Sequence, residues 1–249
     1  MRLAVLQCPS PAGDAAAAVS GVTSALQAAA AAGASVLTVP EAFLPGYNHP
    51  DLAAQAPDAA ILAQMTAAAQ SAGCALVLGY AERADGTLYN SAICIGPDGT
   101  TLANYRKVQL YGPREHALYA PGNAYVTFDL AGQRLALLIC YDIEFAPHIR
   151  ELAAKGVTAI LCPTANMHPF THVPRVTVPA MAANHGVAIA YANYCGTEGD
   201  LTYTGGSQII GPHGELLALA GDGPALLVAD LPPRDAARLS TQSADLRTI

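Results

Sequence analysis

The sequence predicts an α/β protein in which two β-sheets pack as a sandwich with helices outside. The chain opens with a strand, helix, strand, helix, strand pattern, which is typical of a parallel sheet covered by helices. Short apolar segments then follow, separated by Asp85-Gly86 and Asp98-Gly99, dipeptides favoured in hairpin turns. The last third repeats the order of strand, helix, strand and hairpins, so we expect a second sheet built like the first.

Glycine residues mark the ends of the first two predicted helices. A helix over residues 14–32 is expected to stop at Gly33, and a helix over 58–72 at Gly73, because glycine readily adopts the left-handed conformation that ends helices. Apolar runs of four to seven residues predict the strands of this region, which are 3–7, 36–39 and 74–80.

The remaining elements are predicted from short alternating segments and turn signals. We expect antiparallel strands at residues 81–84, 88–95, 101–108, 126–130 and 133–139. Later strands are expected at residues 159–161, 187–193, 208–211, 215–220 and 225–230. Residues 151–155 belong to a predicted short helix and 174–184 to a longer one, while 47–57 and 112–123 are treated as loops. No linker of low complexity interrupts this order, so residues 1–249 are expected to form one domain.

Composition limits the partners of the chain. Of 249 residues, 52% are hydrophobic and only 12% are charged, which allows a large core and leaves alanine-rich surface for another subunit. The net charge of −7 and the scattered basic residues argue against a nucleic-acid partner. The first apolar segment is too short for a signal peptide, and no run of about 20 apolar residues suggests a membrane span. We therefore expect a cytoplasmic protein, part of whose surface packs against another subunit.

The cysteines and histidines do not predict a metal site. The spacing of the six cysteines fits neither a CxxC motif nor a zinc finger. Four of them lie in or beside apolar runs and are interpreted as small buried hydrophobes: Cys8, Cys74, Cys94 and Cys162. His168 and His172 are four residues apart, but nearby prolines disfavour a regular helix. The seven histidines are expected to be structural or surface residues.

Three reactive side chains each follow an apolar segment. Cys140 follows Leu-Ala-Leu-Leu-Ile, Glu41 follows Val-Leu-Thr-Val-Pro, and Lys107 follows Leu-Ala-Asn-Tyr-Arg. If these strands end at the same edge of a sandwich, a thiol, a carboxylate and an ammonium group meet there. The residues from Tyr141 onward would turn the chain and leave backbone N–H groups beside the sulfur.

The three groups together suit acyl transfer. A carboxylate in an apolar pocket has a raised pKa and can act as a base toward a thiol. A nearby lysine can stabilise the negative oxygen of a tetrahedral intermediate and favours the thiolate. The trio therefore predicts a nucleophilic cysteine with its own base and oxyanion site.

Three segments resemble the signature blocks of the nitrilase superfamily of carbon–nitrogen hydrolases. They are Pro40-Glu41-Ala-Phe-Leu-Pro-Gly-Tyr47, Tyr105-Arg-Lys107-Val-Gln-Leu-Tyr-Gly112 and Cys140-Tyr-Asp-Ile-Glu-Phe-Ala-Pro147. The resemblance extends over nearly the whole chain. It implies a four-layer αββα sandwich with two mixed sheets. It also implies assembly into a homodimer or larger homo-oligomer through the face near the cysteine helix.

The resemblance also implies roles for individual residues. Glu41 would be the general base, Lys107 the oxyanion partner and Cys140 the nucleophile, and the N–H of Tyr141 would complete the oxyanion hole. Glu115 matches a second glutamate that holds the lysine or orients substrate. Asn166 resembles a residue that lines the pocket of aliphatic amidases, although it could instead cap a turn. Tyr47 is assigned to the substrate pocket, with packing as its alternative role.

Two features favour an amide over a nitrile as substrate. Many family members have arginine two residues after the aspartate of the cysteine block, where this chain has Glu144. The chain also ends near residue 249, without the C-terminal extension common in true nitrilases. We expect hydrolysis of a small amino-acid or aliphatic amide to an acid and ammonia, without metal or organic cofactor, and few charges near the pocket favour a neutral substrate.

Other functions remain open at this point. The substrate could be a nitrile, an N-carbamoyl amino acid or an ω-amide. Recognition of an N-carbamoyl amino acid usually needs arginines that clamp a carboxylate, and Arg114, Arg150 and Arg175 are available for this. A different class of function is a non-catalytic binding or scaffold subunit.

Overall fold

A computed structural model describes residues 1–247, with the side chains of residues 243 and 244 left out. Its first sheet has six strands in the order β14-β1-β2-β3-β4-β5. Their bounds are β1 Arg2–Gln7, β2 Val36–Thr38, β3 Ala75–Ala84, β4 Thr87–Ile95, β5 Thr101–Arg106 and β14 Ala225–Asp230. β1, β2 and β3 are parallel, whereas β14, β4 and β5 each pair antiparallel with their neighbours.

The second sheet repeats this arrangement, with six strands in the order β13-β12-β9-β8-β7-β6. Its strands are β6 Thr127–Leu130, β7 Gln133–Leu137, β8 Ala159–Pro163, β9 Ala188–Ala192, β12 Gln208–Ile210 and β13 Leu216–Leu219. A parallel centre of β7, β8 and β9 is flanked by antiparallel strands on both sides. A two-stranded ribbon, β10 Thr197–Glu198 with β11 Leu201–Thr202, lies outside both sheets.

Helices cover the outer face of each sheet. On the first sheet these are α1 Ala15–Ala31 and α2 Ala59–Ala72, and on the second sheet α4 Ala146–Ala154 and α5 Val178–His185. Two shorter helices complete the set: α3 Gly112–Leu118, which follows β5, and α6 Gln242–Asp245, which contacts α5. Along β1, Leu3 and Val5 belong to the core shared with the second sheet, while Ala4 packs under α1 and α2. This alternation follows from the two-residue period of a strand. The prediction of an αββα sandwich with two mixed sheets is confirmed.

The topology brings several strand ends to one edge. β5 runs in the same direction as β3, since two antiparallel steps separate them, so β2, β3 and β5 end on the same side. The parallel strands β7 and β8 likewise share one carboxyl edge. Segments that follow β2, β5, β7 and β8 are therefore placed where side chains from both sheets can meet.

Several predicted elements differ from the structure. Residues 74–80 and 81–84 were expected to be separate strands, but both belong to the single strand β3 because its pairing with β4 continues without a break. Residues 112–123 were expected to be a loop, yet α3 forms there with proline in its first turn, where the missing N–H costs nothing. The predicted helix over 174–184 begins with a π-helical turn, Val173–Thr177, before α5.

In the described part of the chain, every helix is too short or too polar to cross a membrane. Residues 1–247 also contain no cluster of three or more histidine, cysteine or acidic side chains that could hold a metal ion. Cys74, Cys94 and Cys162 are buried as predicted, whereas Cys8 is half-buried, and all are free thiols.

Candidate active site

A small cavity of about 220 Å³ lies at the shared strand edge. It is lined by Tyr47, Tyr111, Cys140, Tyr141, Glu144, Asn166, Met167, Phe170 and His172. These residues come from the segments that follow β2, β5, β7 and β8, as the topology requires. The cavity therefore contains the predicted nucleophile together with residues from both sheets.

Cys140 begins a 3₁₀-helix, Cys140–Glu144, three residues after β7 ends. Its φ of +47° lies in the left-handed region, which is uncommon for residues other than glycine and is often found at functional sites. Asp142 stabilises this turn, because its buried carboxylate accepts hydrogen bonds from the N–H of Ile139 (3.0 Å) and the hydroxyl of Tyr105 (2.8 Å). It also accepts one from the N–H of Gln109 (2.7 Å), which ties the cysteine turn to the segment after Lys107.

Tyr141 is the second residue of that 3₁₀-helix, so its N–H has no acceptor within the helix. Its ring lines the cavity and contacts the ring of Tyr111 edge-on, with centroids 5.4 Å apart. The backbone beside the sulfur thus has an N–H group without an acceptor in its own helix.

Glu41 is fully buried in the segment after β2. Its Oε1 accepts hydrogen bonds from Lys107 Nζ (2.6 Å) and from Asn90 Nδ2 (2.7 Å). Its backbone is held too, since Tyr194 donates its hydroxyl to the carbonyl of Glu41 at 2.8 Å. Oε2 has no hydrogen-bond partner among the described residues, so this oxygen is free to accept a proton.

Gly79 on β3 allows the Glu41 segment to pack this closely. A Cβ at position 79 would lie 2.4 Å from the carbonyl oxygen of Pro40 and 2.8 Å from the Cα of Glu41. Both neighbours are backbone atoms that cannot rotate away. Glycine is thus required by close approach at this position.

Lys107 lies directly after β5 and is buried between two carboxylates. Its Nζ donates to Glu41 Oε1 at 2.6 Å and to Glu115 Oε1 at 2.8 Å. Glu115, in α3, also accepts a hydrogen bond from the hydroxyl of Tyr47 at 2.8 Å and one from the N–H of Tyr111 at 2.9 Å. The position of the lysine is therefore set by two carboxylates, one from the segment after β2 and one from α3.

Burial and mutual charge shift the pKa values of these groups. Burial raises the pKa of Glu41, and the nearby Lys107 charge offsets this only in part. Burial also lowers the pKa of Lys107, but the charges of Glu41 and Glu115 outweigh it, so the pKa is raised well above its usual value. Burial and the charge of Glu41 raise the pKa of Cys140, against the opposing charge of Lys107. The resting sulfur is therefore a thiol, which needs a base to become a nucleophile.

The other predicted pocket residues also border the cavity. Tyr47 lines it, but its hydroxyl is used to hold Glu115. Asn166 lines it as well, and its side-chain N–H groups donate to the carbonyl of Phe170 (3.1 Å) and the hydroxyl of Thr204 (3.0 Å). Both residues thus shape the cavity wall through bonds to neighbouring protein groups.

Several site residues were missed from the sequence. Asn90 lies in the middle of β4, and its side chain comes within hydrogen-bond distance of Glu41 only in the folded protein. Thr164 follows β8, and its carbonyl accepts a hydrogen bond from the N–H of Glu41 at 3.2 Å. His172 was expected to be structural or on the surface, yet it lines the cavity with Glu144. The described lining of the cavity thus includes one carboxylate, Glu144, and one imidazole, His172.

Comparison with known proteins identifies the family. The model of the carbon–nitrogen hydrolase family matches residues 2–240 of the chain. The chain belongs to the carbon–nitrogen hydrolase family. It is 41% identical to the hydrolase in the pqqF 5′ region of Pseudomonas protegens, over 93% of this chain and 82% of that protein. It is 32% identical to an (R)-stereoselective amidase of a Pseudomonas species, over 89% of this chain and 81% of the relative.

The structure of this carbon–nitrogen hydrolase also resembles a solved one. An amidase of Nesterenkonia sp. AN1 superposes with a TM-score of 0.90 at 35% identity, covering 99% of this chain and 96% of that one. Mutants of that amidase have been solved with acrylamide added to the active-site cysteine and in complex with butyramide. The resemblance to the nitrilase superfamily drawn from the three sequence blocks is confirmed.

Proposed function

We propose that the protein is an amidase that hydrolyses a small carboxamide to the acid and ammonia through a cysteine thioester. The observation that carries this proposal is the buried contact of Lys107 with Glu41 and Glu115, beside the cavity that holds Cys140. Glu41 is the proposed base, Lys107 the oxyanion partner and Cys140 the nucleophile, with Glu115 as the group that positions the lysine. The proposed reaction uses these groups, the backbone N–H of Tyr141 and water.

In the proposed acylation, Sγ of Cys140 attacks the amide carbon while Glu41 takes the thiol proton. Lys107 and the N–H of Tyr141 bind the oxygen that becomes negative, and such donors lower the barrier most when they are fixed in advance. The C–N bond then breaks, and the proton on Glu41 passes to the leaving nitrogen. Ammonia leaves and a thioester remains.

In the proposed deacylation, the same carboxylate activates water. Glu41 takes a proton from the water as its oxygen attacks the thioester carbon, and Lys107 again binds the oxyanion. The C–S bond breaks, the acid leaves, and the proton on Glu41 returns to the sulfur. One base thus serves both steps, which suits an oxygen atom, Oε2, that has no other partner among the described residues.

The size and lining of the cavity support a small amide. A volume of about 220 Å³ equals that of about seven water molecules, since one water occupies about 30 Å³ of liquid. An N-carbamoyl amino acid or an ω-amide would need a cation for its carboxylate. Arg114 donates instead to the carbonyls of Tyr47 (2.5 Å) and His49 (2.9 Å), and the described lining of this cavity contains no arginine.

The buried charges of Lys107, Glu41 and Glu115 argue against a non-catalytic scaffold. Burying a lysine between two carboxylates costs desolvation energy that a hydrophobic substitution would avoid. A thiol reagent separates the two interpretations: selective labelling of Cys140 supports an activated site, whereas equal slow labelling of several cysteines supports a scaffold.

We also propose that the chain acts as one cytoplasmic domain within a homodimer or larger homo-oligomer. Val176, Leu216 and Leu219 are each more than half exposed. Leu216 and Leu219 border a groove of about 690 Å³ between the π-helical turn and the β12–β13 hairpin. Light scattering of the purified chain would measure the number of subunits.

The function is tested by measuring ammonia release from a panel of short amides, nitriles and carbamoyl compounds. We expect turnover with amides, and loss of it in Cys140→Ala with the circular dichroism spectrum unchanged. Cys8→Ala, which removes another half-buried thiol, is the matched control and should retain activity. Near-normal hydrolysis by Cys140→Ala would contradict the proposal.

A further inference from the structure

Glu144 has no role in the proposed chemistry, although it lines the same cavity as Cys140. It ends the 3₁₀-helix that Cys140 begins, so about one helical turn separates the two residues. Its side chain is half-buried. Among the described residues, none forms a hydrogen bond or an ion pair within 4 Å with this carboxylate.

A half-buried carboxylate without a partner is unfavourable. Burial raises the pKa of Glu144, while the charges of His172 and Lys107 act in the opposite direction. Removing a charge from water costs free energy unless a complementary group replaces the lost hydration. A bound molecule that offers a cation or a hydrogen-bond donor would therefore compensate the partial burial of Glu144.

The walls around Glu144 also favour a cation. The ring of Tyr111 contacts those of Tyr141 and Phe170 edge-on, with centroids 5.4 Å and 5.9 Å apart. All three rings line the cavity. Aromatic rings attract ammonium groups through their quadrupoles, and Glu144 repels a carboxylate.

We propose that Glu144 determines specificity by binding the α-ammonium group of an amino-acid amide. This inference rests on the proposed amidase function and names its substrate class. The α-ammonium group is attached to the carbon next to the carboxamide, so a substrate with its carbonyl carbon at Cys140 extends this group into the same cavity. The α-amine of such an amide is largely protonated near neutral pH, since α-amino groups have pKa values of about 7.7–8.0.

The test uses three amides that have the same number of non-hydrogen atoms. Alaninamide carries an ammonium group, lactamide a hydroxyl in its place, and isobutyramide a methyl. For the unmodified protein we expect kcat/KM to fall in that order. In Glu144→Gln, kcat/KM for alaninamide should fall about tenfold, as expected for loss of one charge-assisted contact, and that for isobutyramide should change less than about twofold.

Three further measurements sharpen the result. Glu151→Gln removes an exposed carboxylate of α4 that pairs with Lys155, so it lowers the negative charge outside the cavity and should leave all three substrates unchanged. Glu144→Asp should retain part of the preference for alaninamide. Succinamate, an amide with a carboxylate, should be hydrolysed faster by Glu144→Gln than by the unmodified protein.

His172 provides the competing explanation, because its charge acts on Glu144. If Glu144 serves only to balance His172, then His172→Gln will reproduce the effect of Glu144→Gln, and the inference is overturned. An unmodified protein that prefers isobutyramide to alaninamide also overturns it and leaves the amidase function intact. Absence of ammonia release from every amide overturns the proposed function and this inference together.

Discussion

The two ends of the candidate site differ in how firmly their groups are held. The proposed reaction end consists of Cys140 in the cavity wall and, beside it, Glu41, Lys107 and Glu115, and these three charged residues are at most 2% exposed and linked by short hydrogen bonds. The proposed substrate end consists of Tyr111, Tyr141, Glu144, Phe170 and His172. Its rings meet edge-on, and its carboxylate has no partner within 4 Å among the described residues.

This difference has a physical meaning for each end. The reaction end must keep a lysine charged in a low-dielectric interior, which requires carboxylates and hydrogen bonds in place before substrate arrives. The substrate end needs only a shape and a charge that complement the variable part of a substrate. We therefore expect changes at the reaction end to cost both turnover and stability, and changes at the substrate end to alter only the choice of substrate.

The largest effect is expected from Lys107→Met. Glu41 and Glu115 would then face each other in the interior without a cation, which typically costs about 3–5 kcal/mol of unfolding free energy. Turnover should fall at least about 10³-fold with loss of the oxyanion donor. The double variant Lys107→Met, Glu115→Gln should regain stability but no activity, as measured by urea unfolding and ammonia release. Full stability of the single variant would contradict the description of the reaction end.

Glu41→Gln is expected to lower kcat by about 10³-fold, because general-base catalysis contributes about 10²–10⁴-fold. The amide keeps the volume of the side chain but cannot take the thiol proton. Glu82→Gln is the matched control, since Glu82 lies on β3 and pairs with Arg106 at 2.6 Å, away from Cys140. Glu82→Gln should lower stability, while its kcat stays within about threefold of that of the unmodified protein. Equal kcat losses in both variants would argue against a base role for Glu41.

Gly79→Ala tests whether the backbone around Glu41 must stay in place. The added Cβ would lie 2.4 Å from the Pro40 carbonyl oxygen, so the segment must shift at a cost of about 1–3 kcal/mol. We expect kcat to fall about tenfold or more through misplacement of the base. Gly21→Ala in α1 meets no atom within 4 Å and should raise stability by about 0.5–1 kcal/mol. Thermal unfolding and ammonia release of both variants provide the comparison.

Asn90→Ala should move the pH dependence of kcat. The hydrogen bond from Asn90 lowers the pKa of Glu41, so its removal raises that pKa further above the ordinary 4.5. With Glu41 as the proposed base, activity requires its ionised form and is lost as the pH falls through this pKa, so the acid limb of the pH profile should shift to higher pH. The control is Asn104→Ala, which removes an amide that donates a hydrogen bond to Glu82 at 3.1 Å. This variant should leave the acid limb of the pH profile of kcat unchanged.

The smallest effect on chemistry is expected at the substrate end. Phe170→Leu enlarges the cavity without touching Lys107 or Glu41, so kcat for acetamide should change less than about threefold, whereas KM for longer amides should fall. Initial rates across a series of aliphatic amides measure this. A large loss of kcat for acetamide would show that the two ends are coupled.

Much of the fold could be predicted because local patterns set it. The apolar run that forms β1 and the glycine that ends α2 at position 73 need no distant contact to be interpreted. The helix at Gly112–Leu118 was missed because its seven residues give too short a pattern, and its stability depends on Glu115 bonding Tyr47 and Lys107.

The sequence by itself determined the layer order of the sandwich and the identity of the groups that can carry out chemistry. Strand periodicity, turn residues and the three blocks around Glu41, Lys107 and Cys140 are all short-range features. Three relations were decided only by the tertiary structure. Asn90 donates a hydrogen bond to Glu41, Gly79 leaves room for the backbone of Pro40 and Glu41, and Glu144 lines the same cavity as Cys140. Those relations depend on how strands far apart in the sequence pack together and on which atoms become buried. A short sequence pattern contains neither kind of information.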